Sequence, residues 1–152
     1  MNPLLKKLNF KNQQHILLIN MPFEFESQAL DFSNYASVDK DSTTSPIEMV
    51  LIFCKTLKEI EAASAMLEHQ LVADAILWYC YPKQSSKKYQ CEFDRDNGWA
   101  SLGNLGYEPV RMVAIDEDWS ALRFRKVELV RNFTRNKDMV LSKEGKSRLE
   151  NK

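Results

Sequence analysis

The stretch "IEMVLIFCKTLKEIEAASAMLEHQLVADAILWYCYP" (residues 47–82) decides the fold. Both ends are apolar runs too continuous for a half-solvated strand, "IEMVLIFC" at 47–54 and "AILWYCY" at 75–81, so each is expected as a strand buried on both faces. Between them, residues 55–71 have helical spacing. Thr56 and Glu59 form a T-x-x-E capping box, in which each side chain can satisfy a backbone N–H at the helix start. Leu57, Ile60, Ala63, Leu67 and Leu71 recur three or four residues apart and give one apolar stripe, as packing on a sheet requires. Strand, helix and strand in this order imply a parallel pair joined by a crossover.

Further elements extend the pattern in both directions. Upstream, "HILLIN" (15–20) is a short buried strand stopped near Pro22. Weak helical spacing follows over 23–32, then a second short strand at 33–39 and a polar loop at 40–46. Downstream, a helix is expected from about Asp94 to Leu105, capped by Asp94 or Asp96 and closed by Gly106 with Pro109 beyond. Gly98 and Gly103 weaken that helix. "PVRMVAI" (109–115) and "WSALRFRKV" (119–127), around "DED", spell an antiparallel hairpin. The expected fold is therefore α/β: a Rossmann-like three-layer domain over residues 1–127, with a mainly parallel sheet and an antiparallel C-terminal hairpin. Residues 128–152 are mixed-charge without strong periodicity and are expected as a charged tail.

Composition narrows the function classes. With 21 basic and 21 acidic residues the formal net charge is zero, which gives no broad grip on nucleic acid or an anionic membrane. No apolar run approaches the roughly 20 residues that span a bilayer, and the first residues hold no apolar run long enough for a signal peptide, so a cytoplasmic location is expected. Only His15 and His69 are present, which lowers the case for zinc sites, serine triads and cysteine–histidine dyads. Cys54, Cys80 and Cys91 lack C-x-x-C spacing and suit small buried thiols. No metal and no cofactor is expected.

In an open parallel sheet, ligands sit beyond the carboxyl ends of the strands, near the reversal of strand order. Those ends are Asn20–Met21, Asp39, Lys55–Thr56 and Pro82–Lys83. Lys55 and Thr56, at the start of the best helix, offer an ammonium, free N–H groups and the positive end of a dipole to an anion. Lys83, Ser85 and Ser86 would arrive from the next strand end. The same lysines and serines are also the ordinary composition of a solvated loop. Ser85 to Lys88 fits S-x-x-K, but the polar flanks oppose the desolvated lysine that such a nucleophile needs. "DRDNG" (94–98) misses the calcium-loop pattern, with Gly98 one place early and Leu105 where glutamate is required. Asp116 could act as a base or simply build a turn. Arg111, Arg123 and Arg125 alternate with apolar residues, as a solvated strand face or a clamp for carboxylate or phosphate. Trp78, Trp99 and Trp119 suit the core, with Trp119 also a candidate beside Asp116. The expected function is binding of a ligand or a partner without catalysis, with a small anion as the candidate ligand; an enzyme acting on a phosphorylated or anionic small molecule, using Lys83 and Ser86 for binding and Asp116 as base, is the alternative.

"MVLIFCKTLKEIEA", "LWYCYPKQSS", "DRDNGW" and above all "VAIDEDWSALRFR" resemble an uncharacterised bacterial family known only as a domain of unknown function. The likeness covers roughly residues 8–127 and implies the fold without an activity. The order of elements is also similar, more distantly, to the second half of a methyltransferase-type Rossmann domain with its terminal hairpin. In that family a glycine-rich loop after the first strand receives S-adenosylmethionine. Here "INMPFEFES" contains no glycine, so close backbone approach to that cofactor is hindered and methyl transfer is disfavoured.

Overall fold

The computed structural model describes residues 1–130. One six-stranded sheet runs through it: β1 (His15–Ile19), β2 (Ser37–Lys40), β3 (Ile47–Phe53), β4 (Leu71–Pro82), β5 (Tyr107–Ala114) and β6 (Trp119–Lys126), in the spatial order β2-β1-β3-β4-β6-β5. β1 pairs in parallel with β2 and with β3, and β3 in parallel with β4. β6 lies antiparallel between β4 and β5. This is the expected Rossmann-like α/β sheet with one reversed strand contributed by the C-terminal hairpin. Leu51 pairs with Trp78 and Phe53 with Cys80, so β3 and β4 finish along the same border.

Helices cover both faces. α1 (Pro3–Lys7) and α2 (Glu26–Phe32) pack on one side, α3 (Leu57–Leu67) and α4 (Ala100–Asn104) on the other. Alternation along each strand feeds both cores: Ile16, Leu18, Met49, Leu51 and Trp78 face α1 and α2, whereas Leu17, Val50, Ile52, Leu77 and Tyr79 face α3 and α4. That two-sided burial is why the strands read as unbroken apolar runs. Aromatic pairs tighten the second core, with Trp99 4.9 Å from Phe93, 5.2 Å from Phe124 and 5.7 Å from Tyr79.

Several boundaries differ from expectation, among them the helix of 55–71, which ends at Leu67, and the strand of 33–39, which is β2 at Ser37–Lys40. The helix expected from Asp94 to Leu105 is only α4, because Asp94 builds a turn instead. Its Oδ1 accepts from the Asp96 and Asn97 N–H groups at 2.9 Å each. Gly98 follows at φ +104°, where an added Cβ would lie 2.5 Å from Phe93 Cβ. The chain cannot be helical through that point, so helix begins after Trp99; Gly106, at φ +87°, supplies the expected left-handed end. β4 begins at Leu71 rather than Ala75, carrying an irregular pairing with β3 past Asp74, whose φ is +53°. α1 was not expected at all, although Asn2-Pro3 is a helix-start signal. Asn2 Oδ1 accepts from the Leu5 N–H at 3.0 Å, and its amide donates to Gln28 and Asp31 of α2 at 2.9 and 2.6 Å. Past β6 the chain enters a 3₁₀ turn at Val127–Leu129; the rest of the expected tail lies outside the described residues.

Candidate functional site

Strand order reverses between β1 and β3. The chain leaves β1 toward α2 on one face and leaves β3 toward α3 on the other, and the two diverging connections open a crevice. A cleft of about 570 Å³ lies there. Asn20, at φ +56°, turns the chain out of β1, and its N–H donates to Asp41 Oδ1 at 2.9 Å. A 3₁₀ turn at Phe23–Phe25 follows, leaving Phe23 90% exposed at the cleft mouth while Phe25 enters the core. The end of β3 contributes Phe53, the connection to α3 contributes Cys54 and Lys55, the segment after β4 contributes Lys88 and Tyr89, and β6 contributes Trp119.

The cleft wall is a chain of rings. Phe53 stands 5.3 Å from Trp119, and Trp119 stands 5.0 Å from Tyr89. Glu24 joins these elements across the crevice. Its Oε1 accepts from the Tyr89 hydroxyl and, at 3.3 Å, from Trp119 Nε1. Lys88 Nζ lies 3.6 Å from its Oε2. Burial pushes the Glu24 carboxyl up, but the Tyr89 and Trp119 bonds and the Lys88 charge together bring it below its ordinary value. Desolvation and the same carboxylate drive the Tyr89 phenol up to about 12. The Lys55 and Lys88 ammonium groups sit over the Tyr89 ring at 5.4 and 5.5 Å. These three residues also line an adjoining hollow of about 470 Å³.

Two acidic and thiol groups at the cleft are committed elsewhere. Glu59 Oε1 accepts from the Lys55 and Thr56 N–H groups at 2.8 and 3.1 Å, and Thr56 Oγ1 accepts from the Glu59 N–H at 3.2 Å. The capping box thus places a carboxylate of the chain itself on amides that the sequence offered to a ligand. Cys54 is buried, and desolvation, with Cys80 and Glu59 nearby, holds its thiol well above the ordinary value. A neutral thiol is a poor nucleophile.

Of the residues expected at the site, Lys55 and Trp119 line the cleft and Thr56 lines the adjoining hollow. Lys83, Ser86 and Asp116 meet on the same border but tie two loops together. Ser86 Oγ donates to Asp118 Oδ1 at 2.8 Å and accepts from the Tyr89 N–H at 3.1 Å. The Lys83 N–H donates to the Asp118 carbonyl at 2.8 Å, and Asp116 Oδ1 accepts from the Asp118 and Trp119 N–H groups at 2.8 Å each. Ser85 is exposed outside the cleft lining, and no helix starts there to support S-x-x-K chemistry. Arg123 lies midway along β6 opposite Trp78, where its Nη1 donates to Asn9 Oδ1 at 3.2 Å, away from the cleft. Glu24, Lys88 and Tyr89 were missed. The position of residues 20–24 just after the first strand was the available signal for Glu24; nothing local distinguishes Tyr89 from the rest of its loop.

No described helix is long and apolar enough to cross a membrane. Among the described residues, no three His, Cys, Asp or Glu side chains group as metal ligands would. No family model and no curated protein matches the chain. Among solved structures, it is similar to N-methyltransferase NodS from Bradyrhizobium japonicum WM9, at 11% identity and a TM-score of 0.49, over 81% of this chain and 92% of that one.

Proposed function

We propose that the domain binds a small anionic molecule with a flat apolar part in the cleft between β1 and β3, without catalysing its conversion. The observation that carries this is Lys55. Its ammonium faces the cleft over Tyr89 and has no carboxylate within ion-pair range among the described residues. An anionic group would sit between Lys55 and Lys88, and an apolar ring would lie along Phe53, Trp119 and the exposed Phe23. The groups with acid–base or nucleophilic capacity support binding over catalysis. Glu24 is held by three partners, Glu59 caps α3, and Cys54 stays neutral. Asp116, the base of the alternative enzyme reading, spends an oxygen on its turn.

The test is thermal-shift screening with nucleotides, sugar phosphates, aromatic carboxylates and S-adenosylmethionine, followed by calorimetric titration of whatever stabilises. Saturable stabilisation by an anion is expected, with affinity falling about tenfold in Lys55→Ala, the loss of one charge-assisted contact. Absence of a saturable shift with every anion, or binding indifferent to Lys55→Ala and Lys88→Ala, overturns the proposal. Conversion of the bound molecule during the titration would replace it with the enzyme reading.

A further inference from the structure

The outer part of the sheet brings two arginines face to face. β6 sets Arg123 directly opposite Arg111 of β5. Opposed residues of an antiparallel pair project from the same side, and like charges placed so are destabilising. The pairing is not forced by a regular ladder. Its register shifts between Pro109 and Arg111. Continued from the Pro109–Phe124 pair, an unbroken register would put Val110 opposite Arg123; one extra residue puts Arg111 there instead. Bulges that re-aim a side chain in this way are built features of a sheet.

Among the described residues, no carboxylate forms an ion pair with either arginine. Arg125, the next cation on that face, is paired with Asp74, its Nε and Nη2 donating to that carboxylate at 3.0 and 2.8 Å. Arg123 gives Nη1 to Asn9 Oδ1, but its Nε–H is buried with no hydrogen-bond partner among the described residues. Neither Arg111 nor Arg123 has a carboxylate within ion-pair range among the described residues. Desolvation first, then the neighbouring Arg125 and Arg111 charges, pull the Arg123 guanidinium below its ordinary value against the opposing effect of Asp74. A buried donor left unpaired bears its whole desolvation penalty. Two adjacent guanidinium forks match the oxygens of one phosphate or carboxylate group.

We infer that Arg111 and Arg123 form a clamp for a small oxyanion, a phosphate or carboxylate group, at a site separate from the cleft between β1 and β3. The Arg123 Nε–H, aligned by Asn9, supplies one donor, and Arg111 closes over the anion from solvent. With two guanidiniums that lack a carboxylate partner among the described residues and no net charge on the chain, the site suits one small group rather than a polymer backbone.

The direct test follows the Arg123 Nε–H resonance of the full chain by NMR during titration with inorganic phosphate at fixed ionic strength. A saturable shift is expected. Arg111→Gln, at an exposed position that leaves the core intact, weakens it about tenfold or more, and Lys55→Ala leaves it unchanged. A parallel titration with a sugar phosphate separates the sources: equal affinity assigns the site to the free ion, and higher affinity to an organic phosphate. In phosphate-free buffer Arg111→Gln melts above the wild type, because the like-charge contact is gone, and phosphate narrows that gap. A resonance that phosphate does not move saturably, or moves equally in Arg111→Gln, overturns the clamp.

Discussion

Glu24 shows how one side chain can hold a site together without any local sequence signature. It bonds to residues brought in from the segment after β4 and from β6, so its role exists only once the sheet has formed. Its carboxyl lies below the ordinary value near 4.5. A depressed folded-state value means stabilisation that is complete above that ordinary value and is lost as pH falls through the lower one. Melting temperature measured against pH is therefore expected to fall more steeply in the wild type than in Glu24→Gln below about pH 4.5; parallel curves would deny Glu24 this role. Gly98 makes a second claim at this scale. Its positive φ and the approach to Phe93 leave no place for a β-carbon, and Gly98→Ala is expected to lower stability by about 1–3 kcal/mol in denaturant unfolding.

The helix α3 is the element whose sequence and structure agree most closely. Its capping box forms as written, and Thr56→Ala is expected to cost about 1 kcal/mol by denaturant titration. The apolar stripe holds over Ile60, Ala63 and Leu67, with Ser64 buried inside it. Leu57 is exposed at the first turn, and Leu71 falls outside the helix as the first residue of β4. Ser64 has one hydroxyl proton and gives it to the Ile60 carbonyl at 2.7 Å, so Tyr79 must be the donor in the 2.7 Å contact between the two hydroxyls. Ser64→Ala then strands the buried Tyr79 hydroxyl and is expected to cost about 1–3 kcal/mol. Adding Tyr79→Phe removes the stranded group, so the double variant should be no less stable than Ser64→Ala alone. A double variant that unfolds more readily than the single one would contradict this assignment of the proton.

At the scale of the whole molecule, the sheet was legible because both faces are covered. Buried parallel strands must be apolar throughout, and the runs at 15–20, 47–54 and 75–81 could be nothing less than central strands. The reversed strand was legible for a different reason, the short acidic turn between two β-rich runs. Less visible were elements whose stability comes from distant partners. α1 is only five residues long and depends on Asn2 binding α2 and on the Leu8 carbonyl accepting from Trp78 Nε1 at 2.9 Å. The border of the cleft was legible in part. The strand carboxyl ends pointed to it and to Lys55, but the serine–lysine cluster at 83–88 drew notice by composition while the Ser86 hydroxyl and the Lys83 N–H bond Asp118 and hold two loops together. The lysine of that segment that lines the cleft is Lys88, at its far end, beside the Tyr89 ring.

The most direct test of the central claim is an amide NMR titration with the anion that stabilises the protein best. The crevice where strand order reverses predicts perturbations gathered at residues 20–24, 53–55 and 88–89 and at Trp119. Perturbations gathered instead at Lys83–Ser86 and Asp116, with the β1 end unmoved, would contradict it.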